Sequence, residues 1–346
     1  MVFSPSMPIG LAMNRLTTTN SCCRICERIG PHPLFIGREM MFGTREEFKY
    51  FKCGKCGCLQ IKSIPSNLYN YYGESYYSFT RGDDSKPSRL LRILQRERCR
   101  NALFRRGYKL NKILSKLVDL PKEIYSLKYL LRHARLNNFD AKILDIGCGI
   151  TSWWLSSLYN LGFNNLVGVD PFIPCDNISS VIKIYKNEID QLTGKYDLIT
   201  LHHSLEHMPD QKAVMKNISR LLSDDGVCII RIPIVSSYVW EKYGTNWVEM
   251  DPPRHIYLHS NKSIELLGEA CGLNLIETEY DSLPLEFYGS EQYLHNIPLS
   301  DPSSFWINKE TDRFTAEELA KFDQQANKVN RNKTGGRAAF FFTKVK

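Results

Sequence analysis

The chain has 346 residues, 43% of them apolar, which is ample for a catalytic-size core with a smaller module beside it. No stretch reaches the ~18 uninterrupted apolar residues of a membrane span, and the first twenty residues lack the charged-then-apolar order of a secretory signal, so the expectation is a soluble, cytoplasmic protein. Of the eleven cysteines, Cys99, Cys148, Cys175, Cys228 and Cys271 stand singly, a scatter that suits a reducing compartment and argues against a disulfide framework.

Residues 1–20 are rich in Ser, Thr and Met without periodicity and read as a flexible tail. Residues 21–65 hold six cysteines. Within them Cys23-Arg-Ile-Cys26 and Cys53-Gly-Lys-Cys56 are two C-x2-C units separated by twenty-six residues. Each unit can present two thiolates from one tight turn, and Gly57 after the second supplies backbone freedom. Four thiolates form a soft, closed tetrahedral shell, so the expected ion is a structural zinc in a ribbon-like module.

Residues 66–140 begin with an aromatic tract, Tyr69 to Phe79, and continue as a basic segment. From Lys86 to Arg135 there are fifteen Lys or Arg against three acids, a balance of +12 in a chain whose total is +8. Leu90, Leu94, Leu103, Leu110, Ile113, Leu114 and Leu117 recur at helical spacing, so the segment reads as basic amphipathic helices. They pack on the catalytic domain or face an acidic partner: a diphosphate-bearing substrate, a membrane surface or nucleic acid.

From Ala141 the pattern becomes alternating apolar strands and helices: KILDIG, a helix from Trp153 to Leu161, LVGVD, VIKIY, YDLITL, a helix from Gln211 to Leu222, and VCIIRIP. That alternation means an α/β parallel sheet with covering helices. Further strands are expected at Leu273 to Tyr280 and Arg337 to Val345, on either side of an insertion over 284–336 with a polar helix near Thr315 to Asn330.

The turn Asp145-Ile-Gly147-Cys148-Gly149 follows a strand and opens a helix, where glycines let a ligand approach backbone amides closely. Ser152 stands where a dinucleotide site has its third glycine, and Asp170 ends the next strand, placed for ribose hydroxyls. Together they describe an adenosyl ligand without a diphosphate.

These residues resemble class I S-adenosylmethionine (SAM)-dependent methyltransferases, whose fold is a Rossmann-like seven-stranded sheet. Asp145-Ile-Gly-Cys-Gly resembles their first motif and Asp170 the acid of their second. Tyr196-Asp-Leu-Ile with Ser204-Leu-Glu206-His207, and Asp251-Pro-Pro-Arg254-His255 with Ser260, resemble the small-molecule members. The likeness spans Lys142 to Leu283; with the cysteine pairs it extends to bacterial methyltransferases of polysaccharide and modified-sugar biosynthesis. It implies SAM contacts from Asp145, Gly147, Cys148, Gly149, Asp170, Asn187, Glu188, Ile189 and His203. The acceptor would meet Glu206, Arg254 and, from the insertion, Glu291, Gln292 and Tyr293. The expected acceptor is a sugar in nucleotide-, lipid- or glycan-linked form. An RNA methyltransferase that grips nucleic acid with the ribbon and basic helices is the alternative. For an oxygen acceptor a base is needed, and His202, His203, His207 and His255 are the candidates, with His202 read as a core or capping side chain and His255 preferred over His207. Related quinone-pathway enzymes bind a divalent metal near the region of Glu206-His207; His203 stands here where a further glutamate would help, which argues against magnesium.

Overall fold

The computed structural model describes residues 17–72 and 88–345. Most of the expected tail, and the aromatic tract beyond Tyr72, lie outside the described residues.

Four short strands open the chain: β1 (Thr18–Cys22), β2 (Ile29–Arg38), β3 (Glu47–Lys52) and β4 (Leu59–Ile61). Three helices carry the basic segment: α1 (Arg89–Phe104), α2 (Tyr108–Leu114) and α3 (Glu123–Leu131). The α/β part follows as β5 (Lys142–Ile146), α4 (Trp153–Leu161), β6 (Asn165–Val169), β7 (Asn177–Ile178), β8 (Ile182–Tyr185), β9 (Tyr196–His202), α5 (Gln211–Leu221) and β10 (Leu222–Pro233). It closes with α6 (Tyr238–Tyr243), β11 (Tyr257–Leu258), α7 (Asn261–Glu269), β12 (Leu273–Tyr280), α8 (Leu285–Leu294), α9 (Ala316–Arg331) and β13 (Arg337–Lys344).

The main sheet runs β12-β13-β10-β9-β5-β6-β8-β7. The five strands β8, β6, β5, β9 and β10 are parallel, while β13 is antiparallel to both β10 and β12. This is the expected Rossmann-like sheet with one strand more: the two-residue β7 folds back antiparallel on β8 and makes eight strands rather than seven. Strand order reverses between β5 and β9, which places the crevice outside their carboxyl ends at a topological switch point.

One sheet face packs on α3 and α4 through Leu127, Leu130, Trp154, Leu155 and Leu158. The other face shares its core with α5, α7 and the N-terminal strands, joining Leu144 and Ile230 to Tyr50, Leu59 and Ile61. The N-terminal strands are not a free-standing ribbon: β11, from the second half of the chain, adds to β4 as a fifth antiparallel strand. Among the described residues no helix is long and apolar enough to cross a membrane.

Candidate functional site

Each cysteine pair sits on a turn whose next residue is left-handed, Glu27 at φ 59° and Gly57 at φ 77°. Only the second turn has the glycine that this conformation favours. Sγ of Cys23 lies 3.6 Å from that of Cys56, Sγ of Cys26 lies 3.6 Å from that of Cys53, and all four fall within 4.8 Å of one another. With a metal–sulfur bond of ~2.3 Å, a tetrahedron requires sulfurs roughly 3.8 Å apart, so the donor set fits zinc. Gln60 donates Nε2–H to Cys23 Sγ at 2.9 Å. Cys22 is exposed, and the Cys58 thiol turns to the Leu59 carbonyl, so neither competes for the ion.

At the end of β5 the chain turns through Gly147 (φ 69°) and Gly149 (φ 68°). A Cβ on Gly147 would lie 2.5 Å from Cβ of Ser204, so the close approach of this loop to the end of β9 needs glycine. The loop amides are turned inward. Those of Gly147 and Cys148 face the Val169 carbonyl, and that of Gly149 donates to Asp170 Oδ2 at 2.9 Å. Asp170 Oδ1 accepts from the Phe172 amide at 2.9 Å. Asp145 accepts from Thr200 Oγ1 at 2.8 Å and from Ser152 Oγ at 2.7 Å, lacing β5, β9 and the start of α4 together. Burial pushes the Asp145 carboxyl up to about 7 and raises that of Asp170. Cys148 packs its thiol over Gly168, where a Cβ would meet it at 2.6 Å. Asn187, Glu188 and Ile189 follow β8; Glu188 caps the short helical turn Ile189–Gln191 reciprocally with Gln191.

Beyond β9 the chain carries His202, His203, Glu206 and His207. His202 lies between Trp153 and Trp154 with neither ring nitrogen bonded, and burial holds it down at about 3. It is a core side chain. His203 takes φ 51° and brings Nδ1 to 3.6 Å from Glu206 Oε1. The Ile256 amide donates to the Glu206 carbonyl, which draws the turn Leu205–His207 against the segment that carries His255. As a result the His207 and His255 rings meet edge to face, with centroids 4.8 Å apart.

Their tautomers follow from their partners. His207 Nδ1 faces the Arg254 carbonyl at 3.0 Å and the Tyr72 hydroxyl at 3.1 Å, and His255 Nδ1 faces the Glu249 carbonyl at 2.7 Å. A carbonyl only accepts, so each Nδ1 carries the proton and each Nε2 keeps a lone pair. Burial, then the neighbouring His255, hold His207 down at about 3. His255 Nε2 stands 3.9 Å from Asp251 Oδ2. Glu206 is fully buried with neither carboxylate oxygen bonded, and burial pushes it up to about 8. One donor atom each from Glu206, His207 and His255 lies within 4.8 Å of the others, near enough to share a divalent ion.

Around this group are buried polar side chains that sequence reasoning did not find. Arg337 stands 3.8 Å from Glu249 and 3.7 Å from Asp281, with Nε and one terminal nitrogen lacking a hydrogen bond. Glu286 Oε2 is also buried and unbonded. A lone Glu249, Glu286 or Arg337 carries no periodic or motif signal; only the fold gathers them.

The expected acceptor residues divide. Arg254 is fully buried, with Asp251 bound through Nε at 2.9 Å, Glu39 at 2.7 Å and the Tyr71 carbonyl at 2.8 Å. Its guanidinium therefore clamps the N-terminal strands to the α/β domain instead of facing an acceptor. Tyr50 reinforces the clamp by donating its hydroxyl to the His255 carbonyl at 2.8 Å. Gln292 is buried between Ser304 Oγ and the Phe305 amide, and Tyr293 is buried in the core. Glu291 binds Lys242 and Tyr243 at a surface cleft away from the two histidines. Of the acceptor candidates, only Glu206 joins the histidine group.

A family model described as a methyltransferase domain matches residues 108–278. Residues 108–278 therefore form a methyltransferase domain. Ubiquinone biosynthesis O-methyltransferases of Psychrobacter cryohalolentis and Psychrobacter arcticus are each 28% identical over 123 residues, 31% of this chain and 47% of theirs. The chain thus spans about half the length of the curated relatives it matches. Among solved structures, it is similar to a SAM-dependent methyltransferase from Archaeoglobus fulgidus at 16% identity, over 70% of this chain and 97% of that one, with a TM-score of 0.40. A putative sarcosine dimethylglycine methyltransferase from Galdieria sulphuraria is 15% identical over 67% of this chain and 87% of its own, also with a TM-score of 0.40.

The methyltransferase domain's loop fits the methyl donor of its class. Its three amides are already bonded inside the protein, so they offer no cradle for a diphosphate. Asp170 accepts only two hydrogen bonds and retains capacity for two ribose hydroxyls.

Proposed function

We propose that this chain methylates an oxygen of a small-molecule acceptor, a sugar held in nucleotide-, lipid- or glycan-linked form, at the end of β9. The observation that carries the reading is the pair of imidazoles whose Nδ1 atoms are tied to carbonyls. Both Nε2 lone pairs are thereby left beside the Glu206 carboxyl, which has no hydrogen bond. SAM, when bound, supplies an electrophilic methyl group on a sulfonium. Gly147, Gly149 and Asp170 would hold the donor, with Asp145 on the side of its amino group.

Most of the rate in such an in-line displacement comes from positioning, worth up to ~7–11 kcal/mol. The acceptor hydroxyl donates its hydrogen bond to His255 Nε2, while His207, held neutral, accepts one at Nε2 from a neighbouring hydroxyl of the sugar. His255 removes the acceptor hydroxyl's proton as the general base, its Nε2 standing 3.9 Å from Asp251 Oδ2. The sugar reading is supported by Glu206, Glu286 and Arg337, whose unbonded buried atoms suit a polyhydroxylated ligand. The four thiolates hold a zinc ion that is structural, since its shell is closed.

The test is transfer of radiolabelled methyl from SAM to a panel of nucleotide sugars, lipid-linked sugars, glycans and RNA. A labelled sugar ether, lost in His255→Ala, supports the reading. Label only in RNA, or only on nitrogen, overturns it.

A further inference from the structure

A strongly basic surface lies at α2 and the turn after it, away from the site just described. From Arg105 to Lys122 there are six Lys or Arg against one acid, Asp119, in a chain whose residues outside 86–135 sum to −4. Arg105, Arg106, Lys109, Lys112, Lys116 and Lys122 are all exposed.

Charge is half of the pattern. Leu110, Ile113 and Leu117 follow the spacing i, i+3, i+7 and are 45%, 62% and 71% exposed, while Leu114 alone turns into the core. Lys109, Lys112 and Lys116 repeat the same spacing one residue earlier. At 100° per residue this sets Leu110 and Ile113 beside Lys109 and Lys112 on α2, and the turn that follows continues both rows with Leu117 and Lys116. Tyr108, 71% exposed, opens it.

We propose that this helix docks on an anionic lipid bilayer. The aliphatic stripe enters the boundary between headgroups and acyl chains, and the lysines, with Arg105 and Arg106, meet the headgroup phosphates. A nucleic acid would use the positive charges but leave three aliphatic side chains in water, and this helix offers one aromatic ring for base stacking. A second copy of the same face would bring like charges together.

The position of the helix decides what docking does. α1, on which α2 packs, is anchored by Arg96 to the Gly162 carbonyl and by Phe104 to Phe139 and Phe163. Phe139 and Phe163 lie just before β5 and β6, at the opposite end of the strands from the Gly147 loop. Docking therefore tethers the domain while its cofactor crevice faces away from the bilayer, and the two events are independent.

The experiment is co-sedimentation of the full chain with vesicles of phosphatidylcholine alone, or with about one third phosphatidylglycerol, at low and high salt. Binding is expected only to the anionic vesicles, weakened by salt, and unchanged by saturating S-adenosylhomocysteine. Replacing the lysines together (Lys109→Gln, Lys112→Gln, Lys116→Gln) should weaken partitioning on the order of 100-fold. Replacing the aliphatic stripe (Leu110→Ser, Ile113→Ser, Leu117→Ser) should abolish it with every charge retained. All six side chains are exposed, so circular dichroism should show both variants folded. Failure of the wild type to bind anionic vesicles overturns the proposal. So does vesicle binding that the aliphatic variant retains in full, or RNA binding tighter than vesicle binding and indifferent to the aliphatic change.

Discussion

Replacing Arg254 by methionine separates a clamp from a substrate contact. In the folded chain its guanidinium is fully buried between Asp251 of the α/β domain and Glu39, which follows β2 of the N-terminal strands. Removing it leaves both carboxyls buried without a cation, and breaking a buried pair from one side costs about 3–5 kcal/mol. With an unfolding entropy of about 2.1 cal/mol/K per residue and 346 residues, melting temperature should fall by about 4–7 °C. The loss should depend on pH. Burial raises the Asp251 carboxyl, but the charge and hydrogen bonds of Arg254 outweigh it and hold the group below the usual carboxylate range. A carboxyl so depressed stabilises the fold above its unfolded pKa of about 3.9 and ceases to do so as pH falls through the folded value. The gap between wild type and Arg254→Met should thus be full near neutrality and narrow in acid. Glu39→Gln in the same chain should recover part of it by removing one stranded charge. The assay is thermal unfolding followed by circular dichroism from about pH 2 to 8. An unchanged melting temperature with a raised acceptor KM would refute the clamp and return Arg254 to the acceptor.

Asp170→Ala should weaken SAM binding by about 1.5–3 kcal/mol in calorimetry without lowering the melting temperature by more than a few degrees; unchanged affinity would remove Asp170 from the cofactor site. His255→Ala should cut turnover by about 10²–10⁴-fold while SAM affinity holds, whereas His207→Ala should act more on the acceptor's KM. If the two effects exchange, so do the roles. Asp145 has its carboxyl raised to about 7 by burial, so its neutral form favours the fold and stability falls as pH climbs from about 4 through 7. Asp145→Asn should flatten that slope in a melting series. Cys53→Ser should lose the zinc found by elemental analysis and lower thermal stability; metal-replete wild type without zinc would end the thiolate reading.

Local signals made the catalytic half of the fold legible. Alternating apolar runs placed β5, β6, β8, β9 and β10, and the helix expected from Trp153 to Leu161 is α4. Gly147 and Gly149 announce themselves because the backbone there is left-handed. The paired cysteines were equally readable, since each pair lies in one turn. What the sequence could not display is pairing at a distance: Arg254 with Glu39, Tyr50 with His255, and β4 with β11 each join residues about two hundred positions apart. Such contacts leave no period. An arginine beside a family-like histidine then looks like a ligand group, because nothing nearby shows that its charge is already matched.

The pairing of β4 with β11 also sets an order of events during synthesis. Residues 59–61 leave the ribosome roughly two hundred residues before 257–258, their partners, have been made. At about 5–20 residues per second, the outer side of β4 waits on the order of ten to forty seconds with its backbone groups unmatched. A waiting strand edge of this kind invites pairing with a neighbouring nascent chain. Only three residues long, β4 is a poor template for that error. The N-terminal strands are thus completed only after the five parallel strands of the main sheet have been made.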